Sequence, residues 1–294
     1  MVIASEVIGF GNSSNLSSAA VVAAVRKAKR DGASFIKVHD AVLRPSYFAL
    51  SDEARRLGLT VQGHVPASVS AVEASNAGQK SIEHATGLDE AKSDSRKAHA
   101  LISAFKRNRT WLCPTLIMRS NYAVLDESGL ANDPRLKYVK PSWRNRWLKM
   151  TKAAANTPLA EWSNRRETIR KEKLLVGKMN RAGIGILAGT DDGNPYSLVG
   201  FGLHDELVML VESGLTSLEA LRAATINPAK FFNQLNSRGT IEKGKIADLV
   251  LLEANPLDDI RNIRQIDAVV VNGKYFPREA LNQILAAVEA AAKN

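Results

Sequence analysis

Between positions 17 and 87 the apolar and polar residues alternate between a helical and an extended rhythm. Apolar residues at helical spacing predict helices over about 18–31, 46–57 and 69–76, and short apolar runs predict strands over 34–38, 60–62 and 81–83. Each of these helices ends at a glycine, Gly32, Gly58 or Gly78, where a left-handed cap turns the chain back toward a sheet. Strands that alternate with helices imply parallel strands joined by crossovers.

The same grammar continues with a helix over about 96–106 and a strand over 110–116, in which Pro114 marks an end or an irregularity. Residues 119–180 read as a long, polar, mostly helical excursion carrying Trp143, Trp147 and Trp162. A strand over 183–188 resumes the pattern, and Thr216-Ser217-Leu218-Glu219 forms a capping box that opens a helix running to Ala224. From Gly239 the runs shorten, at Gly239-Thr240-Ile241, 247–252 and 268–273. Asn272-Gly273 is a hairpin signal, so a small β module is expected over 239–276, followed by a helix over about 278–293. The expected organisation is a partial barrel over 1–238 with a helical insertion over about 119–180, then a β module with its terminal helix over 239–294.

A chain of 294 residues with 45% hydrophobic content can bury a substantial core. The lone Cys113 rules out an internal disulfide and fits a reducing compartment. No apolar stretch approaches the roughly 20 residues that span a bilayer, and the first residues lack a basic region followed by a long apolar one. The expectation is a cytoplasmic protein without a membrane partner. The net charge of +10 raises nucleic acid as a partner. However, Tyr138, Trp143, Trp147 and Met150 lie near helical spacing, which makes 137–152 an amphipathic helix with a solvated basic face; no nucleic acid is expected.

Candidate chemistry collects where apolar runs end. Lys37, His64, His84 and Asp191 each close such a run, which places them at strand ends. Taken singly, Lys37 reads as a snorkelling lysine, each histidine as a hydrogen-bonded structural residue, and Asp191 as part of the turn Thr190-Asp191-Asp192-Gly193. Together, two imidazoles at successive strand ends favour metal ligation. Ser34 and Lys37 match a Ser-x-x-Lys nucleophile pattern, but three residues along a strand turn the two side chains to opposite faces.

The strings Gly32-Ala33-Ser34-Phe35-Ile36-Lys37-Val38, Gly63-His64-Val65-Pro66, Ser81-Ile82-Glu83-His84, Cys113-Pro114-Thr115-Leu116, Ala188-Gly189-Thr190-Asp191, 223–229 and 239–250 resemble the metal-dependent amidohydrolase superfamily, closest to its imidazolonepropionase-like and prolidase-like branch. The resemblance implies an α/β fold, an incomplete (β/α)8 TIM barrel with a small C-terminal β module. In it Lys37, His64, His84 and Asp191 end strands four, five, six and eight at the catalytic rim. It implies a carbamylated Lys37 and metal ligation by Lys37, His64, His84 and Asp191, with Asp191 also the catalytic proton relay. His39 shares a face with Lys37, Tyr122 follows the seventh strand, and His204 lies on a helix near the rim; these are the candidate substrate-binding residues. His99 reads as surface.

One expected piece is missing. Such sites begin with a His-x-His pair on an earlier strand, and no histidine precedes His39. The amino-terminal half of the family's β-sandwich is missing too. The site is therefore expected to hold at most one Zn2+ or similar divalent ion per chain. A parallel sheet with open edges needs covering, so a homo-oligomer is expected. The implied activity on a small-molecule substrate is hydrolysis of amide bonds (peptide, acyl-amino acid) or ester bonds by a metal-bound hydroxide. The alternatives are a metal-free, catalytically impaired scaffold and a metal-independent serine esterase, against which the absence of Gly-x-Ser-x-Gly speaks.

Overall fold

A computed structural model describes residues 2–127 and 129–293. They form two compact units, Met1–Pro114 with Leu174–Leu187, and Thr115–Lys173 with Ala188–Asn294.

The first unit is built on four parallel strands, β1 (Phe35–Val38), β2 (Thr60–Gly63), β3 (Gln79–Glu83) and β4 (Trp111–Cys113), which neighbour one another in chain order. Helices Ser18–Arg30, Arg44–Arg56, Ala71–Asn76 and Ser95–Asn108 alternate with them, as the hydrophobic periodicity requires. Gly32, Gly58 and Gly78 take φ values of +85°, +68° and +92°, the left-handed region in which a side chain is strained. Behind the first two caps Ala33 N–H donates to Ala28 C=O at 3.0 Å and Leu59 N–H to Ala54 C=O at 2.8 Å, closing the helix ends. Ile36, Val38, Ile82 and Leu112 from the strands, with Val21, Val25, Leu50 and Phe105 from the helices, are buried. Each such side chain contributes about 1.5–3 kcal/mol of burial.

Two features of this unit depart from the sequence reading. Residues 3–8 run parallel beside β1, bridged at Ala4 to Phe35 and at Ile8 to Val38, a pairing the sequence reading does not include. The expected strand over 183–188 is reduced to one parallel bridge between Ile186 and Leu112. Leu112 N–H donates to Gly185 C=O, and Leu187 N–H to Leu112 C=O, both at 2.9 Å. The Trp111 ring occupies the space that a Cβ on Gly185 would need.

The second unit contains most of the helical excursion, with helices Leu116–Ala123 and Pro141–Ala154 and a core of Leu125, Trp147, Trp162, Tyr196 and Leu198. The excursion's longest helix is Leu159–Arg181. The capping box forms as written: Thr216 Oγ1 accepts from Glu219 N–H at 3.2 Å, and Glu219 Oε2 accepts from Thr216 N–H at 2.7 Å, opening helix Ser217–Ala224. The β module is an antiparallel sheet of β5 (Leu249–Leu252), β6 (Ile266–Val271) and β7 (Lys274–Phe276). Asn272 and Gly273, at φ +49° and +79°, make the turn between β6 and β7. Gly239-Thr240-Ile241 is not a strand; Ile241 is 86% exposed and packs on no sheet face. Helix Arg278–Ala292 closes the unit. Among the described residues no helix is long and apolar enough to cross a membrane.

Candidate functional site

The first unit brings Lys37, His64 and His84 to one end of its sheet. Lys37 lies on β1, His64 directly follows β2, and His84 directly follows β3, so parallel topology delivers all three to the C-terminal rim. The His64 and His84 rings stand edge to face, with centroids 4.8 Å apart. His84 holds φ +57°, a left-handed conformation that costs a non-glycine residue free energy and recurs where a side chain must be aimed. Its backbone N–H is tied to Cys113 C=O at 2.9 Å.

Two acidic residues that the sequence did not single out complete this cluster. Glu83, the last residue of β3, forms an ion pair with the Lys37 ammonium. Asp40, just beyond β1, places Oδ1 2.8 Å from His64 Nδ1 and Oδ2 3.7 Å from His39 Nδ1. His39 stacks obliquely on His64, with centroids 3.9 Å apart and planes at 32°. Burial holds the His64 pKa below the usual histidine value, against the opposing pull of the Asp40 hydrogen bond; the neighbouring His39 lowers it further. A neutral imidazole is the form that ligates a metal.

Beneath the rim lies a buried amide. Gln79 Nε2 lies 3.1 Å from the carbonyls of Gly63 and His64 and 3.0 Å from that of Ser81, while Tyr47 donates its hydroxyl to Gln79 Oε1 at 2.6 Å. Gln79 and Tyr47 are both buried, and burial raises the Tyr47 pKa, so the phenol stays a donor. The β2/β3 register slips between Val61 and Gln62, and Gln79 bonds backbone groups on both strands just past that slip. A glutamine opening a strand carries no sequence signal for such a role.

The second unit holds the other expected site residues. Asp191 is left-handed at φ +51°, and Asn194 Nδ2 donates to its Oδ2 at 2.8 Å and to its backbone carbonyl at 2.9 Å. Tyr122 in turn donates its hydroxyl to Asn194 Oδ1 at 3.0 Å, making a chain Tyr122–Asn194–Asp191. Asp192 packs against the start of helix Gly202–Glu212, where a Cβ on Gly202 would collide with its carboxylate. His204 lies on that helix, its pKa lowered by burial first and then by Arg264. Its neighbour Asp205 binds Arg135 at 2.8 Å and Arg264 at 2.7 Å. His99 is exposed on helix Ser95–Asn108.

Two imidazoles and a carboxylate around one point suit a borderline divalent cation such as zinc. His39, Asp40 and His64 each offer a donor atom, and these atoms lie within 4.8 Å of one another. The donor set of the first unit thus fits such an ion. The Lys37 ammonium, held by Glu83, does not add a donor in this state.

A profile of the amidohydrolase family matches residues 19–275. Ochratoxinase of Aspergillus niger is 30% identical over 232 residues, which cover 76% of this chain and 39% of the relative. Imidazolonepropionase of Thermoplasma acidophilum is 34% identical over 88 residues, 27% of this chain and 22% of the relative. Among solved structures, a bottromycin amidohydrolase superposes with a TM-score of 0.77 at 26% identity, covering 99% of this chain and 66% of its own. A Xaa-Pro dipeptidase with bound methionine superposes with a TM-score of 0.62 at 22% identity, covering 89% and 59%. The chain thus spans about two fifths of the length of the ochratoxinase it matches. Four parallel strands with their helices, and the small antiparallel sheet, correspond to an incomplete barrel of the type these structures share.

Proposed function

This chain belongs to the amidohydrolase family, and on that basis we propose that it hydrolyses amide bonds of peptide or acyl-amino-acid type in a small-molecule substrate, with esters as a second class. The observation that carries this reading is the approach of His64 and His84, with centroids 4.8 Å apart, at the ends of adjacent parallel strands. They are the imidazole donors for a single zinc-type cation. Lys37 joins them as a carbamate, formed when its unprotonated amine adds to carbon dioxide and loses a proton, a step that requires release from Glu83.

A cation held there would supply Lewis-acid chemistry, lowering the pKa of water and polarising the scissile carbonyl. Asp191 would serve as the proton relay of the reaction. Asn194 and Tyr122 fix the orientation of that carboxylate through the chain described above. In the second unit a cleft of about 300 Å³ lined by Tyr138, Trp143, Trp147, Val199 and Phe201 suits an apolar substrate group. Relatives named for amide or peptide cleavage, the bottromycin amidohydrolase and the Xaa-Pro dipeptidase, support the bond class. A homo-oligomer covering what the incomplete barrel leaves open belongs to the same reading, and light scattering checks it.

The test is incubation of the zinc-supplemented protein with Xaa-Pro dipeptides, N-acyl amino acids and simple esters, following product by mass spectrometry. Amide turnover that stops with a zinc chelator and in His84→Ala is the expected result; turnover indifferent to both overturns the reading. The Lys37–Glu83 pair favours a second reading, a metal-free scaffold without catalysis. No turnover and no metal uptake, with or without bicarbonate, would establish it.

A further inference from the structure

Three donor-bearing side chains meet where β1 and β2 end. His39 and Asp40 follow the last residue of β1, and His64 follows the last residue of β2. The parallel register pairs Val38 with Gly63, so the next residues of both strands emerge side by side. The backbones of all three are pinned: His39 N–H donates to Ile8 C=O at 2.8 Å, Asp40 C=O accepts from Ala67 N–H at 3.3 Å, and His64 N–H donates to Val38 C=O at 2.9 Å. Their side chains converge, with one carboxylate facing both imidazoles and all three donor atoms within 4.8 Å.

We propose that His39, Asp40 and His64 form a divalent-cation site that fills without any contribution from Lys37. The site shares His64 with the ligand set proposed above and is the one an ion takes while Lys37 remains an amine; its binding does not rest on the hydrolase reading. Nitrogen and carboxylate donors in this ratio select zinc, cobalt or a similar borderline ion over magnesium or calcium. The imidazole of His64 is largely enclosed, with 11% of its side chain exposed, and that of His39 is held between His64 and Phe10. Asp40 is 54% exposed on the solvent side, which leaves the ion a route in and a coordination position for water. A three-ligand site with one open position is the catalytic form of zinc coordination. Binding replaces the His64–Asp40 hydrogen bond with two metal bonds to the same atoms or their ring partners. The nearby Lys37 charge does not oppose the ion, because Glu83 compensates it.

The experiment is titration of the metal-stripped full chain with cobalt(II), read by its visible ligand-field bands, in carbonate-free buffer that keeps Lys37 an amine. Binding is expected in that buffer, unchanged in Lys37→Met, and weakened about tenfold or more in His39→Gln and in Asp40→Asn. Asp40 is exposed enough for its substitution to leave folding intact, which thermal melting checks. Binding that requires bicarbonate and vanishes in Lys37→Met, while His39→Gln and Asp40→Asn bind like the parent, overturns the inference and leaves the hydrolase reading standing. No cobalt uptake in either buffer overturns both.

Discussion

The side chain of Lys37 reaches Glu83 across an intervening strand. Lys37 lies on β1 and Glu83 on β3, with β2 between them in the sheet. The passage runs over Gly63: a Cβ there would approach Lys37 Cδ to 3.2 Å and collide with the Val38 carbonyl. Gly63 also holds φ +123°, where L side chains are strained. One glycine therefore satisfies a backbone requirement and opens the path for an ion pair at the C-terminal rim of the sheet.

Substitution Gly63→Ala should accordingly destabilise the fold by about 1–3 kcal/mol, combining backbone strain with overpacking. Chemical denaturation measures it. A midpoint unchanged from the parent would mean that β2 can shift to accommodate the methyl group.

Glu83→Gln removes the charge that stabilises the Lys37 ammonium while keeping the side-chain shape. The fraction of Lys37 present as carbamate in bicarbonate buffer should rise, seen as a carbamate carbonyl signal by carbon-13 NMR with labelled bicarbonate. Equal signals in Glu83→Gln and the parent would show that the pair does not control this chemistry.

Glu206 imposes a pH dependence on stability. It is wholly buried, its Oε2 accepts from Ile117 N–H at 2.8 Å, and its Oε1 has no hydrogen-bond partner among the described residues. Burial first, and the nearby Glu172 with it, push its pKa from 4.5 up to about 8. The folded state then binds a proton that the unfolded state has released, so this contribution is complete below pH 4.5 and is lost as pH rises toward 8. Glu206→Gln should flatten that decline, whose slope from one proton is at most about 1.4 kcal/mol per pH unit. Parallel stability profiles for variant and parent across this window would refute it.

In the second unit, Asp191→Asn should lower kcat about a hundredfold or more, the usual size of a lost proton relay. Tyr122→Phe, which removes only the hydrogen bond to Asn194, should lower kcat far less and leave KM nearly unchanged. Steady-state kinetics at matched metal content separates the two. A Tyr122→Phe effect on KM alone would instead make the hydroxyl a substrate contact.

Much of this arrangement is legible in the sequence. The helices closed by Gly32, Gly58 and Gly78 formed where periodicity and caps put them, because local turn chemistry and amphipathicity agree there. His64 and His84 were identifiable from their position after apolar runs. Asp40, Glu83 and Gln79 were not, since their roles depend on which residue lies across the sheet, and a single sequence carries no register for non-adjacent strands. The run over 183–188 misled because its apolar content suits a strand, while Gly185 lets the Trp111 ring press against the backbone and limits pairing to one bridge. Residues 3–8 were missed for the opposite reason: they pair with β1 without an alternating pattern.

That last segment sets how the rim breathes. Ser5 N–H donates to Phe35 C=O, Ile8 N–H to Lys37 C=O, and His39 N–H to Ile8 C=O, while Ser5 Oγ accepts from Lys37 N–H. The outer flank of β1 is thus sealed by a narrow ribbon of chain whose side chains are mostly exposed, Ile3 and Val7 among them. Amide protons of Lys37 and His39 should therefore exchange with solvent when this ribbon peels, through local rather than global unfolding. Tethering the ribbon would slow exchange along β1 while leaving β3 and β4 unaffected.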